Sequence, residues 1–331
     1  MLLGSSTILP CFETKKIHTH LLIINSSIIR LDQLSMAAPN NPHDDVLEWV
    51  QKDNRRFLRA NIRVGDLDRT IKFYTEFFGM KVLSRQDFPE QKYSTAVVAY
   101  GPEETHFVLG LTHHHDAADK LDIGTAFNHF GLATQDVYGT VEKIRAAGGV
   151  ITREPGPIAE GGRTIFAFVN DPDGYSFELL RRPPTPEPLC QICLNVTDID
   201  RSIEFYQKAL GMNLLLPKYD ASQFQYTIAM VGYGSDFTQT TIIELKYNYN
   251  VTEYTKGNGY AMLAIGTDDV YKSGAAVELV NKELGGEIIR HPAVNPKTNT
   301  KITCFLDSHG FESVLVDNQD YVGFLGKSKD E

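Results

Sequence analysis

Arg63-Val-Gly-Asp-Leu-Asp-Arg-Thr-Ile-Lys-Phe-Tyr74 returns later in the chain as Asn195-Val-Thr-Asp-Ile-Asp-Arg-Ser-Ile-Glu-Phe-Tyr206. Working outward from this pair, Tyr93 to Gly101 is mirrored by Tyr226 to Gly234, Asp136-Val137 by Asp269-Val270, and Asp171 to Gly174 by Asp307 to Gly310. Self-similarity on this scale means two homologous units in one chain. Between them lies Arg181-Arg-Pro-Pro-Thr-Pro-Glu-Pro188, whose prolines hold the backbone extended and suit a semi-rigid linker. The expected division is an N-terminal extension over 1–47, a first domain over 48–182, the linker over 183–188 and a second domain over 189–331.

A shorter rhythm runs inside each unit. Asp66 caps a helix whose apolar positions Leu67, Ile71, Tyr74 and Phe78 recur at helical spacing, and Gly79 ends it. Val137, Val141 and Ile144 repeat the pattern after Asp136 and stop at Gly148-Gly149. Alternating stretches such as Thr241-Ile-Ile-Glu-Leu-Lys246 read as strands with unlike faces. The chain therefore reads as an α+β fold of four β-α-β-β-β modules, two in each domain.

Bulk properties exclude several functions. A formal net charge of −10 in 331 residues, with no basic stripe, speaks against nucleic acid and for a small-molecule partner. No apolar run is long enough to cross a bilayer as a helix, so no membrane association is expected. Cys11, Cys190, Cys193 and Cys304 do not make a disulfide framework, which points to a reducing compartment. The first 35 residues, with Lys15, Lys16, Arg30 and the apolar Leu21-Leu-Ile-Ile24, leave two readings open: a plastid or mitochondrial transit peptide, or an over-long start preceding Met36. The expected location is cytoplasmic, with a plastid as the alternative if that segment is a transit peptide.

Val64-Gly-Asp-Leu-Asp-Arg69, Asp171-Pro-Asp-Gly-Tyr175 ahead of Phe177-Glu178, Pro184-Thr-Pro-Glu-Pro188 and Ile265-Gly-Thr-Asp-Asp-Val-Tyr-Lys272 resemble the tandem, plant-type glyoxalase I proteins of the vicinal oxygen chelate superfamily. The resemblance covers roughly residue 48 onward. It implies two tandem vicinal-oxygen-chelate domains and a divalent metal held by one side chain from each of four strands. Carried over, the positions give Arg59 and Gly110 in the first module, His129 and Glu178 in the second, Gln191 and Glu244 in the third, and Met262 and Val314 in the fourth. The family joins the opening module of one domain to the closing module of the other. Crossed in this way, Gln191, Glu244, His129 and Glu178 form one complete metal set, and all the unsuitable residues fall in the other.

Strand alternation supports the set. Gln191, Cys193 and Asn195 share one face of a strand and Ile242, Glu244 and Lys246 share one face of another, and a lone carboxylate among apolar neighbours is costly without a partner. A mixed oxygen and nitrogen donor set suits Ni, Co, Mn or Zn. The resemblance further implies isomerisation of the hemithioacetal of methylglyoxal and glutathione to S-lactoylglutathione, in methylglyoxal detoxification, with Glu178 as catalytic base and Glu244 as ligand and second proton carrier. Because both halves of the site lie in one chain, a monomer is expected.

Substrate recognition departs from the family. Where an arginine is expected four residues after the first ligand stands Asn195, a neutral replacement that costs on the order of 1.5 to 3 kcal/mol if uncompensated. Asn248 matches the family's other substrate amide, and Arg153 and Arg163 are candidate carboxylate partners. A metal-retaining pseudoenzyme, or a binder of glutathione adducts, is the alternative that Asn195 favours. An extradiol dioxygenase wants two histidines about iron, and only one is available here. His113-His-His115 is expected to be a solvated loop, and Cys190 and Cys193 to face opposite ways along a strand.

Overall fold

The computed structural model describes residues 42–116, 120–157, 162 and 164–327. The reading of the first 35 residues and the Arg163 assignment fall outside them. A helix, α1 (Pro42–Lys52), spans the expected boundary between extension and first domain and precedes the repeats. The first module is β1 (Phe57–Arg63), α2 (Leu67–Phe77), β2 (Lys81–Phe88), β3 (Tyr93–Ala99) and β4 (Val108–His114). The second is β5 (Phe127–Thr134), α3 (Val137–Ala146), β6 (Val150–Pro157), β7 (Ile165–Asn170) and β8 (Ser176–Arg181). The third is β9 (Leu189–Asn195), α4 (Ile199–Leu210), β10 (Asn213–Ala221), β11 (Tyr226–Gly232) and β12 (Ile242–Asn248). The fourth is β13 (Tyr260–Thr267), α5 (Val270–Leu284), β14 (Glu287–Asn295), β15 (Thr300–Leu306) and β16 (Glu312–Asp317), followed by α6 (Asn318–Lys327).

The helix starts follow from their caps. The side chains of Asp66, Asp136, Asp198 and Asp269 each accept a hydrogen bond from a backbone N–H of the following turn. The modules then pair across the halves. One eight-stranded sheet runs β14-β15-β16-β13-β1-β4-β3-β2, and the other β10-β11-β12-β9-β5-β8-β7-β6. Modules one and four therefore share a sheet, as do modules two and three. In each sheet the two modules meet through antiparallel opening strands, β1 with β13 and β5 with β9, flanked by parallel pairs with β4, β16, β8 and β12.

What the sheets separate, the helices join. The Tyr74 hydroxyl on α2 donates to the Asp171 carboxylate at 2.7 Å, and the Tyr206 hydroxyl on α4 donates to Asp307 at 2.8 Å. Each bond ties consecutive modules lying in different sheets. Around Tyr74, the rings of Phe78 and Phe177 come within 5.6 and 5.4 Å, so the polar tether sits inside an aromatic cluster. Ile192, Leu194, Ile243 and Leu245 turn to this core from β9 and β12, leaving Gln191, Cys193 and Glu244 on the opposite face. The two-faced reading of these strands is what the structure has.

Asp171 accepts from the backbone N–H groups of Asp173 and Tyr175 as well as from Tyr74. Burial pushes its carboxyl to about 6, above its ordinary 3.8. The folded state therefore keeps a proton that the unfolded chain has released, so this group's contribution is full below about pH 4 and is lost as pH rises through about 6. Asp171→Asn keeps an oxygen for the two N–H groups and removes the titration. Unfolding free energies from denaturant titrations between about pH 4 and 6 should lose a slope of up to about 1.4 kcal/mol per pH unit relative to the unsubstituted chain.

Candidate metal centre

The four expected ligands come from four adjacent strands. In the order β12-β9-β5-β8 these carry Glu244, Gln191, His129 and Glu178. Register brings them level. Glu244 and His129 both pair with Cys193, and Gly131 pairs with both Gln191 and Glu178. Gly131 is required there, because a Cβ at that position would lie 2.5 Å from the Gln191 Cβ.

The side chains converge. The Gln191 amide nitrogen lies 3.0 Å from His129 Nε2, 3.0 Å from Glu178 Oε2 and 2.7 Å from Glu244 Oε2. His129 Nε2 and Glu178 Oε2 are 3.3 Å apart. Gln191, His129 and Glu244 are buried, whereas the Glu178 side chain retains 13% exposure. Burial pushes the Glu244 carboxyl above its ordinary value, and the facing Glu178 carboxylate adds to the shift. An amide nitrogen offers two hydrogens, and here three acceptors close on it. One imidazole lone pair and two carboxylates aimed at one point leave a negative charge that an amide does not neutralise. The donors fit a divalent cation, with the Gln191 amide turned to present its oxygen.

Two further residues belong to this centre. Cys193 donates to Glu244 Oε1 at 3.5 Å, and donor atoms of His129, Cys193 and Glu244 all lie within 4.8 Å of one another. Burial raises its thiol well above the ordinary range, with the Glu244 charge adding to the effect. Asn128 accepts from His129 Nδ1 at 2.7 Å. Simple alternation would turn Asn128 away from its neighbour, but β5 is bulged there. Phe127 pairs with Leu194 and His129 with Cys193, leaving Asn128 as the extra residue.

The expected substrate residues are placed as follows. Asn195 is buried, donates to the Thr125 carbonyl at 2.8 Å, and accepts from Asn128 at 3.0 Å and from Asn248 at 3.1 Å. Asn248 also donates to the Tyr254 hydroxyl at 2.9 Å. Arg153 donates to the carbonyls of Phe166 and Pro157, with its guanidinium 3.5 Å above the Phe166 ring. The adjacent Phe168 meets the His129 ring edge-on at 5.1 Å.

The other sheet has solved the same arrangement differently. Arg59 pairs with Glu103, its Nε donating at 2.8 Å, and the Tyr321 hydroxyl donates to the same carboxylate. Leu58, Val314, Tyr321 and Leu325 pack together there, with Met262 against them. A cavity of about 990 Å³ beside them is lined in part by Arg59, Gly110 and Leu325. Arg59 thus forms a structural ion pair, and Met262 and Val314 are apolar packing residues. The three consecutive histidines do not form the expected loop: His113 and His114 end β4, pairing with Ser94 and Tyr93. His113 Nδ1 is bonded to the Val64 carbonyl and His115 to Ser94, with the His113 and His115 rings 5.7 Å apart.

The model of the glyoxalase/bleomycin resistance protein/dioxygenase superfamily matches residues 56–179 and 189–314. This chain belongs to the glyoxalase I family, in its tandem plant type. It is 60% identical over 278 residues to a lactoylglutathione lyase of Oryza sativa subsp. japonica, covering 84% of this chain and 94% of that protein. It is 54% identical over 286 residues to a probable chloroplastic lactoylglutathione lyase of Arabidopsis thaliana, covering 86% and 79%. Glyoxalase I from Zea mays superimposes with a TM-score of 0.81 at 56% identity, over 85% of this chain and 98% of that one.

A buried carboxylate facing another carboxylate weakens the metal-free fold. Because its folded value is raised, the stability that Glu244 costs builds as pH climbs from the ordinary carboxyl range through the raised value. Glu244→Gln should therefore raise metal-free stability at pH 8 by roughly 1–3 kcal/mol, and the gain should shrink towards pH 5. Thermal unfolding of chelator-treated protein across that range would check it. A loss at pH 8 would mean the carboxylate is already compensated.

Proposed function

We propose that this chain is a lactoylglutathione lyase that isomerises the hemithioacetal of methylglyoxal and glutathione to S-lactoylglutathione. The observation that carries the reading is the convergence of two carboxylates and an imidazole on the Gln191 amide. The proposed metal ligands are Gln191, Glu244, His129 and Glu178, taking Ni, Co, Mn or Zn. A divalent ion held there supplies Lewis acidity towards the two adjacent oxygens of the substrate.

Glu178 keeps some exposure while Glu244 is buried, which suits Glu178 to remove the proton from the sulfur-bearing carbon and return it to the neighbouring carbon. The net change is an isomerisation, so no further reactant is consumed. Glu244 is more deeply held and serves as a ligand and second proton carrier. The Asn248 Oδ1 remains as an acceptor for a substrate N–H, since both hydrogens of its amide have partners. Asn195 has one amide hydrogen beyond its bond to Thr125. Arg153, with Arg163, is proposed to meet a glutathione carboxylate.

Both halves of the site arise in one chain, which supports a monomer with domains over 48–182 and 189–331. No helix among the described residues is long and apolar enough to cross a membrane. The proposed location is cytoplasmic, or plastid where the first 35 residues act as a transit peptide.

The test follows the preformed hemithioacetal in the ultraviolet, using chelator-stripped protein reloaded in turn with Ni, Co, Mn and Zn. Metal-dependent turnover is expected, falling by about 10²–10⁴-fold in Glu178→Gln. Stoichiometric metal binding without turnover for any ion would overturn the lyase reading and leave the metal-retaining pseudoenzyme.

A further inference from the structure

The amide side chains around His129 form a chain whose polarity is set at one end. A backbone carbonyl only accepts, so the Asn195 amide bonded to the Thr125 oxygen must present its nitrogen there, at 2.8 Å. Its oxygen is thereby turned inward and accepts from Asn128 at 3.0 Å and from Asn248 at 3.1 Å. Asn128, having given its nitrogen to Asn195, presents its oxygen to His129 Nδ1 at 2.7 Å. That oxygen only accepts, so the proton of the neutral imidazole resides on Nδ1. Nε2 is left with its lone pair facing Glu178, Glu244 and Gln191.

The origin of the chain is itself fixed. The Thr125 N–H donates to the Thr255 carbonyl at 2.8 Å, and the Thr255 N–H donates to the Thr125 hydroxyl at 3.0 Å. The bulge at Asn128 is what lets its side chain reach both His129 and Asn195.

We infer that Asn195 is a positioning residue for the metal ligand His129: through Asn128 it fixes the imidazole tautomer that leaves Nε2 free to bind a cation. Asn195 touches no reacting atom in this role. The inference rests on reading the four-strand cluster as a metal centre, and it turns the family comparison around. An arginine at position 195 presents only donors, so Asn128 must rotate to offer its oxygen to the guanidinium. Its nitrogen then faces Nδ1, forcing the proton onto Nε2 and closing the ligand atom to metal. The family's usual residue is thus incompatible with Asn128 in this chain.

The experiment records ¹H–¹⁵N correlations of histidine-labelled, chelator-stripped protein, with His129→Gln to assign the signal, beside competition for Ni and Zn against a chromogenic chelator. The Nδ1–H tautomer is expected in the unsubstituted protein. In Asn195→Arg the Nε2–H tautomer should appear and metal affinity should fall about 10–100-fold. Asn128→Ala should also lose affinity, whereas Asn128→Asp, which gives up the donation to Asn195 but keeps an acceptor oxygen for Nδ1, should keep the Nδ1–H tautomer. On the Asn128→Ala background, adding Asn195→Arg should cost nothing more. An unchanged tautomer in Asn195→Arg, or an equal loss in Asn128→Ala and Asn128→Asp, would overturn the inference. If the unsubstituted protein binds no ion at all, the metal-centre reading fails, and the tautomer measurements still decide the relay.

Discussion

The antiparallel pairing of β5 with β9 is the contact on which the candidate site depends. These strands come from different halves of the chain, yet they lie side by side at the middle of one sheet. His129 and Gln191 reach the same surface only through that pairing. The parallel partners β8 and β12 then bring Glu178 and Glu244 level with them. Parallel neighbours need a crossover, and α3 and α4 begin the crossovers that supply it. The site is therefore a property of the interface between repeats, and neither half contains it. The Tyr74–Asp171 and Tyr206–Asp307 bonds complete the fold in the other direction, tying each module to its sequence neighbour across the two sheets.

The same scaffold is stabilised in two ways. In one sheet the four central strands carry two carboxylates and an imidazole whose mutual proximity is unfavourable until a cation joins them. In the other, a guanidinium stands at the first position, and its charge is met by Glu103 rather than by ligands. Tyr321 donates to that carboxylate from α6, while Leu325 packs with Val314. This second sheet has a complete set of partners within the protein itself. The first gathers buried charges that the protein alone does not balance, so on the proposed function its cost is confined to one place.

Much of this was legible in the residues. The repeat predicted two sets of modules, and the aspartate caps predicted their helices, because capping and periodicity are local physics. The four donors came with the family resemblance, and strand alternation supported two of them, Gln191 and Glu244. Crossed pairing was implied by the resemblance and supported by the segregation of Arg59, Gly110, Met262 and Val314 into the other site. Asn128 was not legible. Its role depends on a bulge, which shifts register by one residue and defeats the alternation that served elsewhere. Glu103 and Tyr321 carried no signal either, since a loop residue and a C-terminal helix meet Arg59 only through the finished fold.

Asn195 shows why a residue-by-residue comparison reaches a limit at such a centre. Taken alone, the loss of an arginine reads as a weakened hold on a substrate carboxylate. Placed in the fold, the asparagine accepts from two neighbouring amides and donates to a carbonyl, so it belongs to a hydrogen-bonded unit with Asn128 and Asn248. Groups in one such unit do not contribute additively. An arginine placed there would gain a charge towards substrate but reverse the one amide, Asn128, between it and the imidazole. The chemistry open to position 195 is therefore set by position 128. Neither residue has a separable role while the proton on His129 depends on both.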